Sequence, residues 1–303
     1  MYIFNLFLTY TILTMTISIK SKRFNELVEI LQDRKFPVIN QIEYERLITN
    51  IRSVYGFRSK HKDDILDLLI SLGLLRKEET TDNDGTQYAL YFLPNRKTDI
   101  FDIAATRSRN AYFSHYSALF INNLTLQIPK QIYLSSERPS PGGRGSYSLI
   151  QADIDRVFKK TPRITNNRRF YRDSAVNFLQ SQGYNHLGVK KYRSIYRVTD
   201  IERTLIDVSV RPFYSGGVTQ VLEAFTNAKE RISVKKLFRY YKKMKFIYPY
   251  HQVIGFYLEK AGYSSEDQEL FNEIEKNYSF YLTYDMPRVM YSEKWQLYYP
   301  TGL

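Results

Sequence analysis

The sequence predicts an α+β protein: an amino-terminal winged helix-turn-helix followed by a larger mixed α/β domain. Three observations predict it. Three stretches of helical apolar spacing precede two short strand-like runs that flank a turn signature, which is the element order of a winged helix. Beyond residue 95, helical and strand-like stretches alternate without a repeat. The length of 303 residues suits two domains at roughly 150 residues each.

Residues 1–19, MYIFNLFLTYTILTMTISI, form an apolar extension. Its first charge is Lys20 and no A-x-A site follows, so it lacks the basic start and cleavage signal of a secretory leader. Threonine, serine, asparagine and tyrosine dilute it as a membrane span. Translation is expected to begin at Met15, with residues 1–14 dispensable and the membrane not a partner.

The first helix carries Phe24, Leu27, Val28 and Leu31 on one face and must stop before Pro37. IEYERLITNI supplies the second. Ser59 is placed to cap a third, in which Ile65, Leu68, Leu69 and Leu72 form the buried stripe and Gly73 ends it. LLRKEET and TQYALYFL, around Asn83-Asp84-Gly85, read as the wing. Residues 20–95 are thus the expected winged helix, and 96–303 the second domain.

In the second domain Ser114 is placed to cap a helix running to Asn122, and QIYLSS reads as a strand. PSPGGRGS is a loop. LIQADIDRVFKK has helical spacing. In RVTDIERTLIDVSV a T-x-x-E capping box of Thr199 and Glu202 opens a helix with Ile201, Leu205 and Val208 inward, stopped by Pro212. Arg203 and Asp207 lie one turn apart, a pairing of a few tenths of a kcal/mol on a surface and a different matter if buried. Gly216-Gly217 reads as a tight turn rather than an anion site. SVKKLFRYYKKMKF is a basic amphipathic helix. Tyr250, Val253, Ile254, Tyr257, Leu258 and Ala261 define the next, which ends at Gly262. Ser265 and Gln268 cap another, and YSFYLTYDM and WQLYYP read as strands.

A hydrophobic content of 43% with 25% charged residues excludes disordered and fibrous classes. With no cysteine there is no disulfide scaffold, thiolate metal site or thiol nucleophile, and a reducing cytoplasm is the expected location. The net charge is +13. Residues 20–95 are neutral, 96–230 carry a surplus of ten positive charges, and 231–303 a surplus of three. A polyanion-attracting surface therefore belongs to the second domain. Its densest tracts are Arg156, Lys159, Lys160, Arg163, Arg168, Arg169 and Arg172, interleaved with Phe158, Phe170 and Tyr171, and Lys235, Lys236, Arg239, Lys242, Lys243 and Lys245. Cations beside aromatic rings suit phosphate contact and base stacking, and a solvated basic face explains the same pattern. In a helix-turn-helix, base-edge contacts come from the start of the second helix of the pair. Here that start is Arg58, Ser59, Lys60, His61 and Lys62. Against them stand Asp63, Asp64 and Asp67, and Glu78, Glu79, Asp82 and Asp84 in the wing, which repel a duplex.

FSHYSALFINNLTLQIPKQIYL and, about sixty residues on, RVTDIERTLIDVSVRPFYSGGVTQVLEAF resemble the AbiEi-type antitoxin family of transcriptional regulators of viral (phage) defence systems. The resemblance spans roughly residues 24–275. It implies a bacterial cytoplasmic antitoxin of a type IV toxin-antitoxin, abortive-infection system. Such a protein represses its own operon by DNA-binding through the winged helix, and counters a co-encoded nucleotidyltransferase toxin that modifies RNA. Ser117, Ala118, Leu119, Glu202, Arg203, Thr204, Asp207, Gly216 and Gly217 match hallmark positions, implied to be structural or partner contacts. The acidic wing, a long region between the first helices and a Tyr-rich tail after Glu275 depart from the family pattern. The expected partners are operator DNA, the toxin and RNA. The rival reading is an RNA-binding or partner-binding protein that keeps the winged helix as an interaction module.

Catalysis finds little support. Gly145-Ser146 followed by Asp153 and Asp155 imitates a nucleotidyltransferase motif, but six residues between Ser146 and Asp153 leave little room for the turn and strand that chemistry needs. Asp33-Arg34-Lys35, the only nuclease-like triplet, falls at the end of the first helix. The histidines at 61, 115, 186 and 251 lack metal-ligand spacing, so neither enzyme activity, metal nor cofactor is expected.

Overall fold

The computed structural model describes residues 21–54, 61–93, 95–138 and 149–303. The apolar extension, Arg58, Ser59, Lys60 and Gly145-Ser146 lie outside the described residues. The protein is a mixed α/β chain that divides into two compact units after Arg107.

In the first unit α1 (Ser21–Gln32) buries Leu27 and Leu31, and β1 (Val38–Asn40) leads directly into α2 (Gln41–Val54). The polar side chain of Asn40 caps α2 by accepting from the Glu43 N–H at 3.0 Å. Strand β1 went unread in the sequence because three residues carry too little periodicity. α3 (Lys62–Ser71) buries Ile65, Leu68 and Leu69, and Leu72 is its C-cap rather than a core residue. His61 occupies the N-cap, where the sequence suggested Ser59, and its N–H meets Asp64 Oδ2 at 3.1 Å. Gly73 follows at φ +67°, a left-handed position that only glycine adopts without cost. β2 (Arg76–Asp82) and β3 (Gln87–Phe92) form the expected hairpin, and β1 pairs antiparallel with the far edge of β3. The three helices bury one core over this small sheet, with Tyr44 stacked on Tyr91 at 3.9 Å. α4 (Ile100–Ala104), capped by Asp99, and a single 3₁₀ turn (Ala105–Arg107) complete the unit. Asn40 Nδ2 donates to the Thr106 carbonyl at 3.0 Å, which ties this segment to β1 and carries the unit past residue 95.

The second unit is built on a six-stranded sheet in the order β6-β7-β5-β4-β9-β8. Its strands are β4 (Tyr112–Phe113), β5 (Gln131–Glu137), β6 (Arg168–Tyr171), β7 (Ser174–Ser181), β8 (Val189–Tyr192) and β9 (Tyr196–Thr199). β5 runs parallel to β7, and β4 parallel to β9, while the remaining neighbours are antiparallel. α5 (His115–Ile121) connects β4 to β5, and α6 (Gln151–Phe158) precedes β6. α7 (Ile201–Val210) follows β9, and α8 (Val218–Ala228), α9 (Val234–Met244), α10 (Tyr250–Lys260) and α11 (Ser265–Asn272) build a helical layer around it. A second sheet, β10 (Phe280–Tyr281), β12 (Leu297–Pro300) and β11 (Val289–Ser292) in spatial order, packs on α10. Trp295 is fully buried there, and its indole N–H donates to Glu259 Oε2 at 3.0 Å.

Three cap assignments change. The N-cap of α7 is Asp200, whose carboxylate accepts from the Arg203 N–H, not Thr199. Glu202 therefore does not close a capping box and turns instead to α9, where it accepts from the Ser233 N–H at 3.2 Å and Lys236 Nζ at 2.9 Å. Ser264, not Ser265, caps α11. Ser114 does precede α5, but its hydroxyl bonds to the Ser135 hydroxyl at 2.7 Å and to His115 Nδ1 at 2.9 Å instead of capping. Asp153 and Asp155 lie on α6, with Asp153 paired to Arg156 and Asp155 accepting from the Tyr281 hydroxyl at 3.1 Å. They share no strand, so the nucleotidyltransferase arrangement lacks its geometry.

Candidate functional site

A cleft of about 1000 Å³ opens within the second unit. Three groups of elements build it. The sheet contributes Tyr112 and Ser135 to the floor and Arg138 from the end of β5. α7 with the 3₁₀ turn after it (Pro212–Tyr214) contributes Arg203, Asp207, Arg211 and Tyr214. The rim comes from the end of α6 and the segment behind it, with Arg156, Lys160 and Arg163, and from the segment joining α9 to α10, with Phe246, Tyr248 and Tyr250.

The floor is buried and organised. Arg203 is 1% exposed, and its Nε donates to Asp207 Oδ1 at 2.9 Å. Its Nη1 donates to the Leu187 carbonyl at 2.8 Å, and the Tyr184 ring lies 5.2 Å beneath the guanidinium. Gly188 makes room for it: a Cβ there would meet Arg203 Cβ at 2.6 Å, and its φ is +70°. Burial disfavours the Arg203 cation, but the Asp207 carboxylate outweighs that effect, joined by Tyr112 and Glu137, so the guanidinium is held charged. Burial pushes the Asp207 carboxyl up, with Arg203 opposing the rise. The pair is an ionic contact inside the fold rather than on its surface.

His115 stands at the cleft floor, 5% exposed and at φ +50°. Burial, then the Arg211 and Arg203 charges, hold its imidazole well below the ordinary histidine range, so it is neutral at pH 7. Burial likewise pushes the phenol of Tyr250 well above 10. The cleft is therefore lined by six cations, one carboxylate and several tyrosines.

The basic tracts divide. Arg156, Lys160 and Arg163 face the cleft. Lys159 reaches Asp155 at 3.9 Å, Arg168 and Arg169 stand on β6, and Arg172 sits on the β6–β7 turn at φ +50°. On α9, Lys236 is held between Asp200 and Glu202 at 2.9 Å each, so it is a structural ion pair. Lys235 lies 3.7 Å from Glu266, whereas Arg239, Lys242 and Lys243 are exposed without a carboxylate among the described residues. In the first unit His61 and Lys62 are exposed at the start of α3, and His61 Nδ1 lies 3.2 Å from Asp63. The hairpin acids are partly neutralised by their own neighbours, with Arg76 2.9 Å from Glu78 and Lys77 3.7 Å from Glu79. Hydrogen bonds from Thr86 and then Asp82 pull the Asp84 carboxyl down to about 2.

Ser117 and Thr204, from the two sequence blocks, each make buried hydrogen bonds. Ser117 Oγ accepts from the Tyr133 N–H at 2.8 Å, fastening α5 to β5. Thr204 Oγ donates to the Asp200 carbonyl at 2.6 Å, and Asn122 Nδ2 donates to the Thr199 carbonyl at 2.9 Å. Gly216 and Gly217, at φ +84° and +89°, make the turn into α8. His115, Arg138, Arg211 and the tyrosines of the cleft escaped the sequence reading, because no local period links residues that meet only in the folded unit. Arg211, directly before Pro212, was the one available signal: a cation at a helix stop is fixed in direction.

Among the described residues no group of three or more His, Asp or Glu side chains stands close enough to hold a metal ion, and no helix is long and apolar enough to cross a membrane. No protein-family model matches the chain, and no curated protein matches it. The crystal structure of RV2827C protein from Mycobacterium tuberculosis is similar, with a TM-score of 0.57 and 14% identity over 90% of this chain and 89% of that one. At that identity the likeness concerns the fold alone.

Proposed function

We propose that the protein is an antitoxin of the AbiEi type, a bacterial cytoplasmic regulator with two roles. Residues 20–95 act as a winged helix-turn-helix that represses the protein's own operon. Residues 96–303 neutralise a co-encoded nucleotidyltransferase toxin, by docking on it or by competing for its RNA. The protein itself performs no catalysis in this reading.

One observation supports it above the others. The two sequence blocks that carry the family resemblance lie about sixty residues apart, yet they meet in one buried core: Asn122 of the first donates to Thr199 and Thr204 of the second, at 2.9 and 3.2 Å. Chance similarity in two separate segments has no reason to converge on one packed network. The same helix α7 then turns Arg203, Asp207 and Arg211 toward the cleft.

Co-expression with a neighbouring nucleotidyltransferase gene tests the reading. Rescue of growth, with repression of the shared promoter, is the expected result. Unrelieved toxicity from a folded, well-expressed protein overturns it.

A further inference from the structure

We propose that the cleft of the second unit is a binding site for a free nucleoside triphosphate. The inference goes beyond the antitoxin reading and does not depend on it.

Charge is the first ground. Of the cations on the cleft, Arg203 is satisfied by Asp207 and Arg156 by Asp153. Among the described residues, the Arg138 side chain donates to the neutral amide of Gln180, at 2.7 Å, and meets no carboxylate. The side chains of Lys160, Arg163 and Arg211 have no hydrogen bond or ion pair among the described residues. Four cations thus converge on one concavity whose lining holds a single carboxylate, Asp207, already hydrogen-bonded to Arg203. Arg211 is the telling one, because it is half-buried. A guanidinium that gives up part of its hydration without a hydrogen-bond partner is costly, and a phosphate oxygen is the ligand that restores both charge and hydrogen bonds. Its field reaches His115, Asp207, Tyr250 and Tyr284, which places it among the floor residues rather than out in solvent.

Size and surface supply the second ground. About 1000 Å³ is far more than an isolated phosphate fills and lies at the upper end of ordinary small-molecule sites. The lining is also aromatic: Tyr184, Tyr248 and Tyr284 are half-buried, and Tyr284 is braced by stacking on Phe158 at 4.4 Å. Braced aromatic faces beside free guanidinium groups suit a ligand with a planar base at one end and phosphates at the other. Beside the paired Arg203 and Asp207, the deep His115 and Tyr250 stay uncharged, His115 by its depressed basicity and Tyr250 by its raised phenol, which leaves neutral surface for the base.

Isothermal titration of the full chain with ATP, GTP, CTP and UTP, with pyrophosphate and a short single-stranded RNA as controls, tests the site. At least one nucleoside triphosphate should bind saturably, and at least tenfold more tightly than pyrophosphate. Arg211→Gln should weaken that binding by about tenfold or more. Arg163→Gln, at an exposed position that cannot disturb folding, should weaken it several-fold with an unchanged melting curve. The proposal is overturned if no nucleoside triphosphate saturates the protein at millimolar concentration. It is equally overturned if pyrophosphate binds as tightly, if only RNA binds, or if both substitutions leave affinity unchanged.

Discussion

At the scale of single residues, the Arg203–Asp207 contact decides more than its sequence spacing suggested. An exposed i, i+4 pair contributes a few tenths of a kcal/mol, but this one is buried with Arg203 at 1% exposure. Removing one partner leaves an uncompensated charge. Arg203→Met alone should therefore cost about 3–5 kcal/mol, whereas Arg203→Met with Asp207→Leu should recover much of that loss. Urea denaturation of the two singles and the double measures it, and additive losses would refute the coupling. His251 gives a second residue-scale expectation. Burial, followed by the nearby Lys276 charge, pulls its imidazole down to about 4, and its Nδ1 meets the Tyr241 hydroxyl at 3.2 Å. The unfolded chain takes a proton near pH 6.5 and the folded one only near pH 4. Stability is thus lost as pH falls through that window, by about 3 kcal/mol from this group. The difference in urea midpoint between pH 7 and 4.5 should shrink in His251→Gln, and His115 acts in the same direction. The Arg203–Asp207 spacing was legible in the sequence but its burial and that of His251 were not, since burial of a polar side chain follows from tertiary packing and not from its neighbours.

Elements were more readable. Helices α1, α2, α3, α6, α9 and α10 follow from apolar spacing, because a long amphipathic stripe has one low-energy way to bury itself. β1, β4, β6, the β8–β9 hairpin and β11 were missed, being two to four residues long and fixed by their partners rather than by pattern, and β7 was missed because its burial does not alternate cleanly. Helix α10 shows packing outweighing propensity. Gly255 lies inside it, where alanine is favoured by about 1 kcal/mol, but a Cβ there would run into the Trp295 ring. Gly255→Ala should therefore destabilise by about 1–3 kcal/mol. Trp295 is the only tryptophan, so its emission reports the displacement directly. An unchanged spectrum and melting temperature would contradict the packing argument. The start of α3 carries another element-scale expectation. Replacing Arg58, Lys60 and Lys62 together with Ala should weaken operator binding and lower the salt slope by roughly 1 for each phosphate that is no longer neutralised. Identical affinity and slope would place that helix away from DNA.

For the whole molecule, the distribution of charge supports the proposed division of roles. Residues 20–95 are neutral, and the entire surplus of thirteen lies beyond them. Neutral segments can still read DNA through a few placed cations, but long-range attraction to a polyanion or to an acidic active site needs the surplus. The sequence made that asymmetry plain, while the cleft stayed hidden because its lining is drawn from residues 112 to 284. The structure also says where to cut, since the compact units divide after Arg107. A nucleotidyltransferase holds its metal ions with carboxylates, so a basic surface is the complementary one for a toxin of that chemistry. A fragment of residues 108–303 should accordingly rescue growth without repressing the promoter. Within it, Arg239, Lys242 and Lys243 on α9 are exposed and meet no carboxylate among the described residues. Charge reversal at those three should reduce rescue at least tenfold in colony counts while leaving circular dichroism unchanged. Reversal at Lys236 should instead unfold the α7–α9 contact, because that side chain is held by Asp200 and Glu202. If the folded fragment fails to protect cells while residues 20–95 alone succeed, neutralisation belongs to the neutral unit, and electrostatic complementarity is not its cause.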